Sequence, residues 1–406
     1  MSIPNKYKLV IVVSHSIQSF APLYQEIAKR NKIDLEVVFL TDAGSKEYYD
    51  KDFGKRFSWN VDLSSGYNNI VLEPGKPLSC SGALKNYFNM DSKRITSVLQ
   101  KINPDVILAN GYACRFVNRA TKWALRNKKA VMLFGDSELL RQRSLFARMV
   151  KRVVVIGFLK KIDLFLTIGS QNEKYYKHYG VPVAKLFRSR YPVNIKFHNE
   201  DLILLSHEEK LKLREKMKIG LDSFMLLFVG KFCKRKRPQD MVKTIKLLRN
   251  EGYDISGLFI GSGELLDSTK ELAKKLDVQD KCYFLGFINQ KEIGEYIKCA
   301  DLLVFPSSEE PWGLVVTECG MCGVPAVVSD KVGCVGETDM LRPGISGEVF
   351  ECGNIQNMAK VIKELINDPK KFEKMRKDIF EIAKTQDIAY AAKDIEDAVI
   401  KLCKNN

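Results

Sequence analysis

Short apolar runs alternate with segments of helical spacing along the whole chain, and this alternation limits the fold more than any other feature of the sequence. Lys8–Ser14 (KLVIVVS) and Phe224–Val229 (FMLLFV) are continuous apolar runs, which are typical of strands buried on both faces of a parallel sheet. Each is followed by a segment with helical spacing, at Phe20–Arg30 and at Pro238–Asn250. The pattern predicts an α/β chain built from doubly wound parallel sheets.

The alternation stops once, in a polar stretch that begins near Tyr191 and Pro192. The chain of 406 residues is long enough for two domains. We therefore predict a Rossmann-like domain at residues 1–190, a linker at 191–207, a second Rossmann-like domain at 208–385 and a C-terminal helix at 386–406 that can pack back on the first domain. Because ligands bind at the carboxyl ends of strands in such sheets, two facing domains predict a site in the cleft between them.

The net charge of +16 is confined to the first half of the chain. Residues 1–200 contain 33 Lys and Arg against 16 Asp and Glu, a balance of +17, whereas residues 201–406 contain 32 against 33. Such asymmetry predicts an anionic partner for one domain only. Nucleic acid, a membrane surface and an anionic small molecule are all open on charge alone.

The remaining composition indicates a globular protein of a reducing compartment. No apolar run approaches the ~20 residues that span a bilayer, and the start MSIPNKYKLVIVV reads as a first strand because it has no small-residue cleavage site. We therefore expect a cytoplasmic protein whose ten cysteines are free thiols. Cys319 and Cys322 form the closest pair, but without a second pair or a nearby His they are a weak metal signal.

The stretch Ser307–Thr338 is the densest in residues suited to chemistry, because a strand ends there, a polar loop follows and a helix opens at Gly313. Unpaired amides at the start of a helix form an anion site. Glu310 lies on the loop before them, and Glu318 lies about one turn inside the helix, ~6 Å along the axis from Leu314. The two carboxylates can then bind hydroxyls on either side of a phosphate group, as a nucleoside-diphosphate sugar requires. The alternative is a surface loop with solvated glutamates.

Two further strand ends carry residues that suit a diphosphate. Gly230 ends one strand, and five basic residues, including Lys231 and Lys236, follow it within seven positions. These cations could neutralise a diphosphate. Gly261 follows the strand LFI and allows the backbone to approach a ligand closely. Taken alone, the basic segment is equally a solvated turn, and the Gly-Ser-Gly sequence is usually a turn as well.

Taken together, these motifs resemble the group 1 family of retaining glycosyltransferases with the GT-B fold. The resemblance covers the second half of the chain in the family's order, through FVGKFCKRKRP, LFIGSGEL, YFLGFINQKEI, ADLLVFPSSEEPWGLVVTE and MCGVPAVVS. It implies two Rossmann-like domains facing each other across a cleft and a nucleotide-sugar donor bound by residues 195–385. It also implies retention at the anomeric carbon, no required metal and no cofactor beyond the donor, a UDP- or GDP-sugar.

The resemblance also implies roles for individual residues. Glu310 would contact the donor sugar, Glu318 the ribose hydroxyls and Lys236 the diphosphate. Lys231 stands where the family more often has Arg, and it keeps the charge but loses the bidentate fork. The donor would further be lined by Gly230 and Gly261, by the backbone near Phe287 and Ile288 at the base, and by Trp312, Gly313 and Leu314, of which the last two would offer amides.

The first half departs from the family in two places. The first strand–helix loop reads SHSIQSFAP, without the usual glycine pair, and VMLFGDSEL carries Asp136 where a His is often found. Asp136 is a candidate to bind a sugar or acceptor hydroxyl or to act on the acceptor proton, and a helix N-cap is the equal alternative. Weaker acceptor-side candidates, for which loop or folding contacts are as good an explanation, are His15, Phe57, Trp59, Asp62 and Tyr67.

Arg141–Lys161 carries seven positive and no negative charges. On a helix, Leu145, Phe146 and Met149 would share an apolar face beside a basic face, which fits a basic amphipathic helix at an anionic membrane surface. The alternative is a helix that packs its apolar face on its own domain. Acceptors of the family are often lipid-linked, which favours the membrane surface.

We therefore predict a cytoplasmic, peripherally membrane-associated hexosyltransferase that modifies a glycan or lipid-linked acceptor, in surface glycan, polysaccharide or glycolipid synthesis. A phosphorylase or a nucleotide-sugar epimerase of the same fold is one alternative, although no site for a pyridoxal-type cofactor is evident. The other is a non-catalytic basic module that binds membrane or nucleic acid. Nucleic acid is disfavoured, because a groove for it would not concentrate the carboxylates of Glu310 and Glu318.

Overall fold

The computed structural model describes residues 6–44, 48–50, 55–57, 62–78, 83–140, 152, 155–194, 198–201, 203–220 and 223–404. Within these ranges the chain forms two parallel sheets flanked by helices, as the β/α alternation predicts. The same ranges contain no helix that is both long and apolar enough to cross a membrane.

The first sheet has seven parallel strands in the described part of the chain, in the order β5-β2-β1-β6-β7-β8-β9. The central strands are buried on both faces, which explains their continuous apolar sequence. A short antiparallel pair, β3 and β4, lies outside this sheet. In chain order the strands are β1 (Tyr7–Val13), β2 (Ile33–Phe39), β3 (Tyr48–Asp50), β4 (Lys55–Phe57), β5 (Asn68–Val71), β6 (Val106–Asn110), β7 (Ala130–Phe134), β8 (Leu164–Thr167) and β9 (Leu186–Arg188).

The second sheet has six parallel strands in the order β12-β11-β10-β13-β14-β15. The strand order reverses next to β10, which is where open α/β sheets form a crevice at the carboxyl ends of their strands. The strands are β10 (Phe224–Val229), β11 (Ile255–Ile260), β12 (Cys282–Gly286), β13 (Leu302–Phe305), β14 (Ala326–Ser329) and β15 (Gly347–Phe350).

Helices connect the strands and cover both faces of each sheet, and residues 155–159 form a further helical turn. Their bounds are α1 (Ala21–Ala28), α2 (Ala83–Asn89), α3 (Arg94–Ile102), α4 (Arg115–Arg126), α5 (Ser170–His178), α6 (His207–Lys216), α7 (Pro238–Asn250), α8 (Leu266–Lys275), α9 (Gln290–Lys298), α10 (Leu314–Gly320), α11 (Ile355–Ile366), α12 (Pro369–Lys384) and α13 (Ile388–Lys404).

The last helix, α13, returns to the first domain, where it packs against α1 and strands β1 and β8. Arg30 on the first domain donates to the carbonyl of Ala389 at 2.7 Å and lies 3.6 Å from the carboxylate of Glu396. Arg190 forms an ion pair with Asp394 on the same helix. The C-terminal segment therefore joins the two domains a second time, in addition to the linker.

A buried ionic cluster attaches α6 to the second sheet. Asp301, which precedes β13, accepts hydrogen bonds from Lys210 at 2.8 Å, from Arg214 at 2.6 Å and from the amide of Met225 at 2.8 Å. Arg214 also donates to the carbonyls of Cys299 and Ser223. The buried residues of α6 are Lys210 and Arg214, so these bonds make a large part of its contact with the sheet, beside the packing of Leu213.

Asp301→Asn should destabilise the second domain by about 3–5 kcal/mol at neutral pH, because it leaves two buried cations without their anion. Burial raises the pKa of Asp301, but Lys210 and Arg214 outweigh this and hold it below its usual range. Its stabilisation is therefore present above the unfolded pKa of about 4 and is lost as pH falls through the lower folded value. Urea unfolding of wild type and variant from pH 7 to pH 3 measures this. The control is Glu208→Gln, which removes the exposed ion pair between Glu208 and Lys212. An equal loss of unfolding free energy in both variants would contradict the role of the cluster.

Candidate active site

A cavity of about 410 Å³ lies at the carboxyl edge of the second sheet and is closed on its other side by residues of the first domain and the linker. Its floor is formed where β10, β11 and β13 end. The first domain contributes Gln18 and Asp136. All twelve residues that the sequence assigns to catalysis or donor binding line this one cavity: Asp136, Gly230, Lys231, Lys236, Gly261, Phe287, Ile288, Glu310, Trp312, Gly313, Leu314 and Glu318.

The strand ends in the floor are closely joined through Gly261. Its backbone has a φ of 134°, and a Cβ at this position would lie 1.9 Å from the carbonyl oxygen of Gly230. Its amide donates to the carbonyl of Gly286 at 2.7 Å, and the amide of Gly230 donates to Ile260 at 3.0 Å. A side chain at Gly261 would separate these strand ends, so the glycine fixes the floor of the cavity.

Glu310 and Lys236 form an ion pair at the centre of the cavity. Lys236 ends the single 3-10 turn Lys234–Lys236, and its Nζ also lies 4.5 Å from the ring centre of Phe305. Burial lowers the pKa of Lys236, although Glu310 opposes that shift. Arg235 lies 3.7 Å from the same Glu310 oxygen, so two cations face one carboxylate. Lys236, Arg235 and Glu310 together therefore carry one net positive charge.

Glu318 and His198 form a second polar pair in the cavity, in which burial favours the neutral form of both groups. Burial raises the pKa of Glu318 to about 7 and lowers the pKa of His198 to about 4. The nearest atoms, Nε2 of the imidazole and Oε1 of the carboxylate, are 3.8 Å apart, and Nδ1 of His198 is buried without a partner in the described residues. Near neutral pH the imidazole is uncharged and Glu318 titrates, so its ionisation can respond to a ligand.

Asp136 faces Glu310 across the cavity from the first domain. Desolvation raises the pKa of Asp136, and the carboxylates of Glu310 and Glu138 raise it further. Residues 135–138 have no regular structure, and the chain that follows Leu140 lies outside the described residues, so an N-cap role stays open. The side chain is placed to contact a group bound between the domains.

Trp312 has a structural role that the sequence does not indicate. Its ring stacks on Tyr191 of the linker with centres 6.3 Å apart and planes 12° apart, and it lies against Gly169 of the first domain. A Cβ at Gly169 would lie 2.4 Å from a ring carbon of Trp312. The residue therefore lines the cavity and also packs the two domains against each other.

Asp339 joins the two domains beside Trp312. Its carboxylate accepts from the amide of Ser170, the first residue of α5, at 3.1 and 3.0 Å, and from Arg188 at 2.7 Å. The side chain of Asp339 is fully buried. Ser170 and Arg188 belong to the first domain. A single carboxylate of the second domain therefore caps a helix of the first domain and also binds one of its cations.

Three of the weaker acceptor-side candidates, His15, Asp62 and Tyr67, are described and do not line the cavity. His15 bonds to Ser14 at 2.8 Å, and burial lowers its pKa to about 4. Asp62 accepts from the amides of Ser64 and Ser65, and Tyr67 donates to Leu63, so both make local folding contacts. Trp59 and the side chain of Phe57 lie outside the described residues, as does most of Arg141–Lys161, whose described part at 155–159 is helical.

Ten described residues of the cavity lining were not predicted as site residues, and four of them are Gln18, Tyr191, His198 and Arg235. Arg235 could have been found from the basic run that contains Lys236. The other three are single residues in loops, and no local pattern marks them. No group of three or more His, Cys, Asp or Glu side chains in the described ranges is placed to hold a metal ion.

The fold and the cavity define a GT-B protein, a class in which two Rossmann-like domains enclose a nucleotide-sugar site. Residues 209–385 match the family model "Glycosyl transferases group 1", which confirms the resemblance drawn from the motifs of this part of the chain. An uncharacterized glycosyltransferase of Methanocaldococcus jannaschii is 30% identical over 167 residues, which are 41% of this chain and 42% of that protein.

Solved structures extend the similarity of fold to both domains. HepE of Anabaena in complex with UDP aligns with a TM-score of 0.73 at 14% identity, over 97% of this chain and all of that one. Sucrose-phosphate synthase of Thermosynechococcus elongatus aligns with a TM-score of 0.73 at 18% identity, over 99% and 100%. At these identities the likeness shows the fold. The chain spans half or less of the length of the curated relatives it matches first in sequence.

Glu318→Gln should make the protein more stable at pH 8 and leave its stability unchanged near pH 4. A carboxyl whose folded pKa is raised from 4.5 to about 7 stabilises the fold below pH 4.5, and this stabilisation is lost as pH rises through 7. The amide does not titrate, so the variant should gain on the order of 3 kcal/mol across that window. Denaturant unfolding at pH 4, 6 and 8 measures the difference, with the exposed Glu292→Gln as control. A pH-independent difference would contradict the buried, titrating carboxyl.

Asp339→Asn should loosen the contact between the domains while each domain stays folded. The amide keeps one acceptor oxygen but loses the charge that Arg188 and the start of α5 bind. We expect the Ser170 amide to exchange hydrogen at least tenfold faster, since a charge-assisted hydrogen bond is worth roughly 1.5–3 kcal/mol. Hydrogen exchange measured by NMR tests this, with the exposed neighbour Glu337→Gln as control. Unchanged protection of Ser170 in Asp339→Asn would show that the carboxylate does not hold the domains together.

Proposed function

We propose that this protein is a retaining glycosyltransferase that moves a sugar from a nucleoside-diphosphate sugar to an acceptor hydroxyl. The observation that supports this best is the single cavity in which a Glu310–Lys236 pair and a buried Glu318 lie on either side of Gly313, within a group 1 domain. This arrangement suits a ligand with hydroxyls at both ends and phosphates between them.

The donor lies along the second domain. Glu318 binds the ribose hydroxyls, Lys236 and Arg235 bind the diphosphate, and the backbone near Phe287 and Ile288 lines the base. UDP-sugars are the first donors to test, because HepE was crystallised with UDP, and GDP-sugars are the second. Lys231 adds a point charge at the same strand end, and Gly313 and Leu314 offer amides to the phosphate or sugar.

Binding of the donor exchanges the partners of the central ion pair. In the unliganded cavity Lys236 is held by Glu310. A diphosphate carries more negative charge than one carboxylate and therefore draws Lys236 away, which leaves Glu310 to accept hydrogen bonds from the sugar hydroxyls. The ion pair thus keeps both groups desolvated and in place until the donor arrives.

Lys236 and Arg235 then stabilise the leaving group. As the glycosidic bond breaks through an oxocarbenium-like transition state, negative charge grows on the departing diphosphate. Side-chain cations can supply this stabilisation without a metal ion, so we propose a metal-independent reaction. Asp136 faces the sugar from the first domain, where it binds a sugar or acceptor hydroxyl or receives the acceptor proton, and the product retains the anomeric configuration.

The acceptor is a glycan or lipid-linked sugar bound on the basic first domain. The charge balance of +17 over residues 1–200 favours an anionic acceptor or an anionic surface around it. We place the enzyme at the cytoplasmic face of a membrane, in surface glycan or glycolipid synthesis. Nucleic acid is not proposed, since carboxylates are concentrated in the cavity.

A panel of UDP- and GDP-sugars tests the proposal directly. A glycosyltransferase should be thermally stabilised by its donor, should release the nucleotide slowly in water and should transfer the sugar to an added acceptor. An epimerase would isomerise the sugar without releasing nucleotide, and a phosphorylase would need inorganic phosphate. A non-catalytic basic module would bind none of the panel, and that result would overturn the proposal.

Lys236→Ala should lower kcat by roughly 10²–10³ and change donor affinity much less, because its partner gains charge only as the bond breaks. Glu310→Gln should cost about 10–100-fold in kcat/KM through a lost charge-assisted hydrogen bond. Initial-rate kinetics with the best donor measure both. Lys234→Ala, an exposed cation of the same turn that does not line the cavity, is the control. Wild-type rates in both site variants, or activity abolished by EDTA and restored by a divalent ion, would refute this mechanism.

Binding to anionic vesicles should fall steeply between low and high salt, because the attraction is screened by ions. Replacing Arg148, Lys151 and Arg152 with Gln should weaken it by ~1 kcal/mol per residue while nucleotide binding stays unchanged. Co-sedimentation with anionic and neutral vesicles measures this. A second triple variant, with Gln at the exposed Lys212, Lys243 and Lys374 of the second domain, controls for charge alone. Equal partitioning onto both vesicle types would leave a basic acceptor cleft without a membrane surface.

A further inference from the structure

A second cavity, of about 430 Å³, lies at the opposite edge of the second sheet from the candidate active site. Phe224, the first residue of β10, and Asp301, just before β13, form its base. Helices α6 and α12 form its walls. It shares no lining residue with the active-site cavity, which opens at the carboxyl ends of the same strands. The two cavities are therefore separate binding spaces on one domain.

Three cationic side chains line this second cavity, and all three are buried. Lys210, Arg214 and Arg376 are 4%, 2% and 7% exposed. The buried anion among the lining residues is Asp301, which pairs with Lys210 and Arg214. The carboxylate that pairs with Arg376 is Glu373, whose side chain is 46% exposed. Among the described lining residues, three buried cations therefore face two carboxylates, Asp301 and the half-exposed Glu373.

Burial removes part of the hydration of these cations, so an anion bound in the cavity would stabilise them. The hydrogen bonding of Arg376 is also incomplete. Its terminal nitrogens donate to Glu373 and to the carbonyl of Leu205, each at 2.8 Å, but Nε is buried without a partner in the described residues. Burial lowers the pKa of Lys210 and Asp301 opposes this shift, while the nearby charges of Arg376 and Arg214 lower the pKa further.

The opposite wall of the cavity is apolar. The rings of Phe224 and Phe372 lie with centres 5.4 Å apart and planes at 57°, and Leu365 and Pro369 continue the surface. A volume near 430 Å³ accommodates a small organic molecule rather than a bare ion. The cavity thus combines a cationic end with an aromatic side.

We propose that this cavity is a second, non-catalytic binding site for a small organic monophosphate. Its dianionic phosphate lies among Lys210, Arg214 and Arg376, and its apolar or planar body lies against Phe224 and Phe372. Arg376 also holds Leu205 in the linker, so a ligand here contacts a group that fixes the connection between the domains. The site does not depend on the proposed transferase activity.

Calorimetric titration at constant ionic strength tests the site with three probes. Phenyl phosphate carries both the dianion and an aromatic body, inorganic phosphate carries the charge alone, and phenol carries the ring alone. The full chain should bind phenyl phosphate more tightly than inorganic phosphate and should not bind phenol. Hydrogen exchange with phenyl phosphate bound should show new protection in α6 and α12.

Variants locate the binding within the molecule. Arg376→Gln should weaken phenyl phosphate binding roughly tenfold or more, through a lost charge-assisted contact. Leu211→Trp fills the cavity while keeping every cation, so it should abolish binding even if Arg376→Gln fails to fold. Lys212→Gln, an exposed cation on the same helix, should bind as wild type. Lys236→Ala should also bind as wild type, which excludes the active-site cavity.

Each of several results would overturn the proposal. These are an absence of phenyl phosphate binding to the wild type, equal affinities for phenyl phosphate and inorganic phosphate, and wild-type binding by a folded Leu211→Trp. Loss of binding in Lys236→Ala alone would place the phosphate in the active-site cavity instead. That last result would leave the proposed transferase function intact.

Discussion

The cleft depends on one buried carboxylate that belongs to one domain and is bound by the other. Asp339 lies on the chain between β14 and β15, and the same segment supports the loop that carries Glu310 and Trp312. The amide of Gly333 donates to the carbonyl of Glu310 at 2.9 Å, and the amide of Cys334 donates to Trp312 at 3.1 Å. The segment that carries Asp339 to the first domain therefore also holds the backbone of the loop that carries Glu310 and Trp312.

Much of the fold can be predicted from the sequence, because the buried parallel strands have continuous apolar sequences. The bounds of β10 and α7 agree with those predicted from the sequence, and the bounds of β1 and α1 differ from the predicted ones by one or two residues. Helix α6 was not predicted. Its inward residues are Lys210 and Arg214, and a helix that buries charges has no apolar periodicity to detect. Short edge strands such as β9 and β15 were not predicted either, because three or four residues are too few to show a hydrophobic pattern.

Some residues of the candidate site could likewise be predicted from the sequence, and others could not. Glu310, Glu318 and Lys236 were found because they lie within short stretches whose spacing itself has chemical meaning. His198 and Asp339 were not, because each acquires its partner only in the folded chain. Asp339 contacts Ser170, which is 169 positions away, and His198 contacts Glu318 from the linker. A single loop residue gives no signal in one sequence when its partner is chosen by the packing of distant segments.

Two of the charged groups that would meet the donor, Lys236 and Glu318, have pKa values that burial shifts toward their neutral forms. Burial lowers the pKa of Lys236 and raises the pKa of Glu318. A diphosphate beside Lys236 and hydroxyl donors beside Glu318 would each reverse these shifts, because they stabilise the ammonium and the carboxylate. The ligand would thus replace Glu310 as the partner of Lys236 and supply hydrogen-bond donors to Glu318, which stabilises both charged forms. A rigid cleft with permanently solvated charges would gain less from the same contacts, since water would already satisfy them.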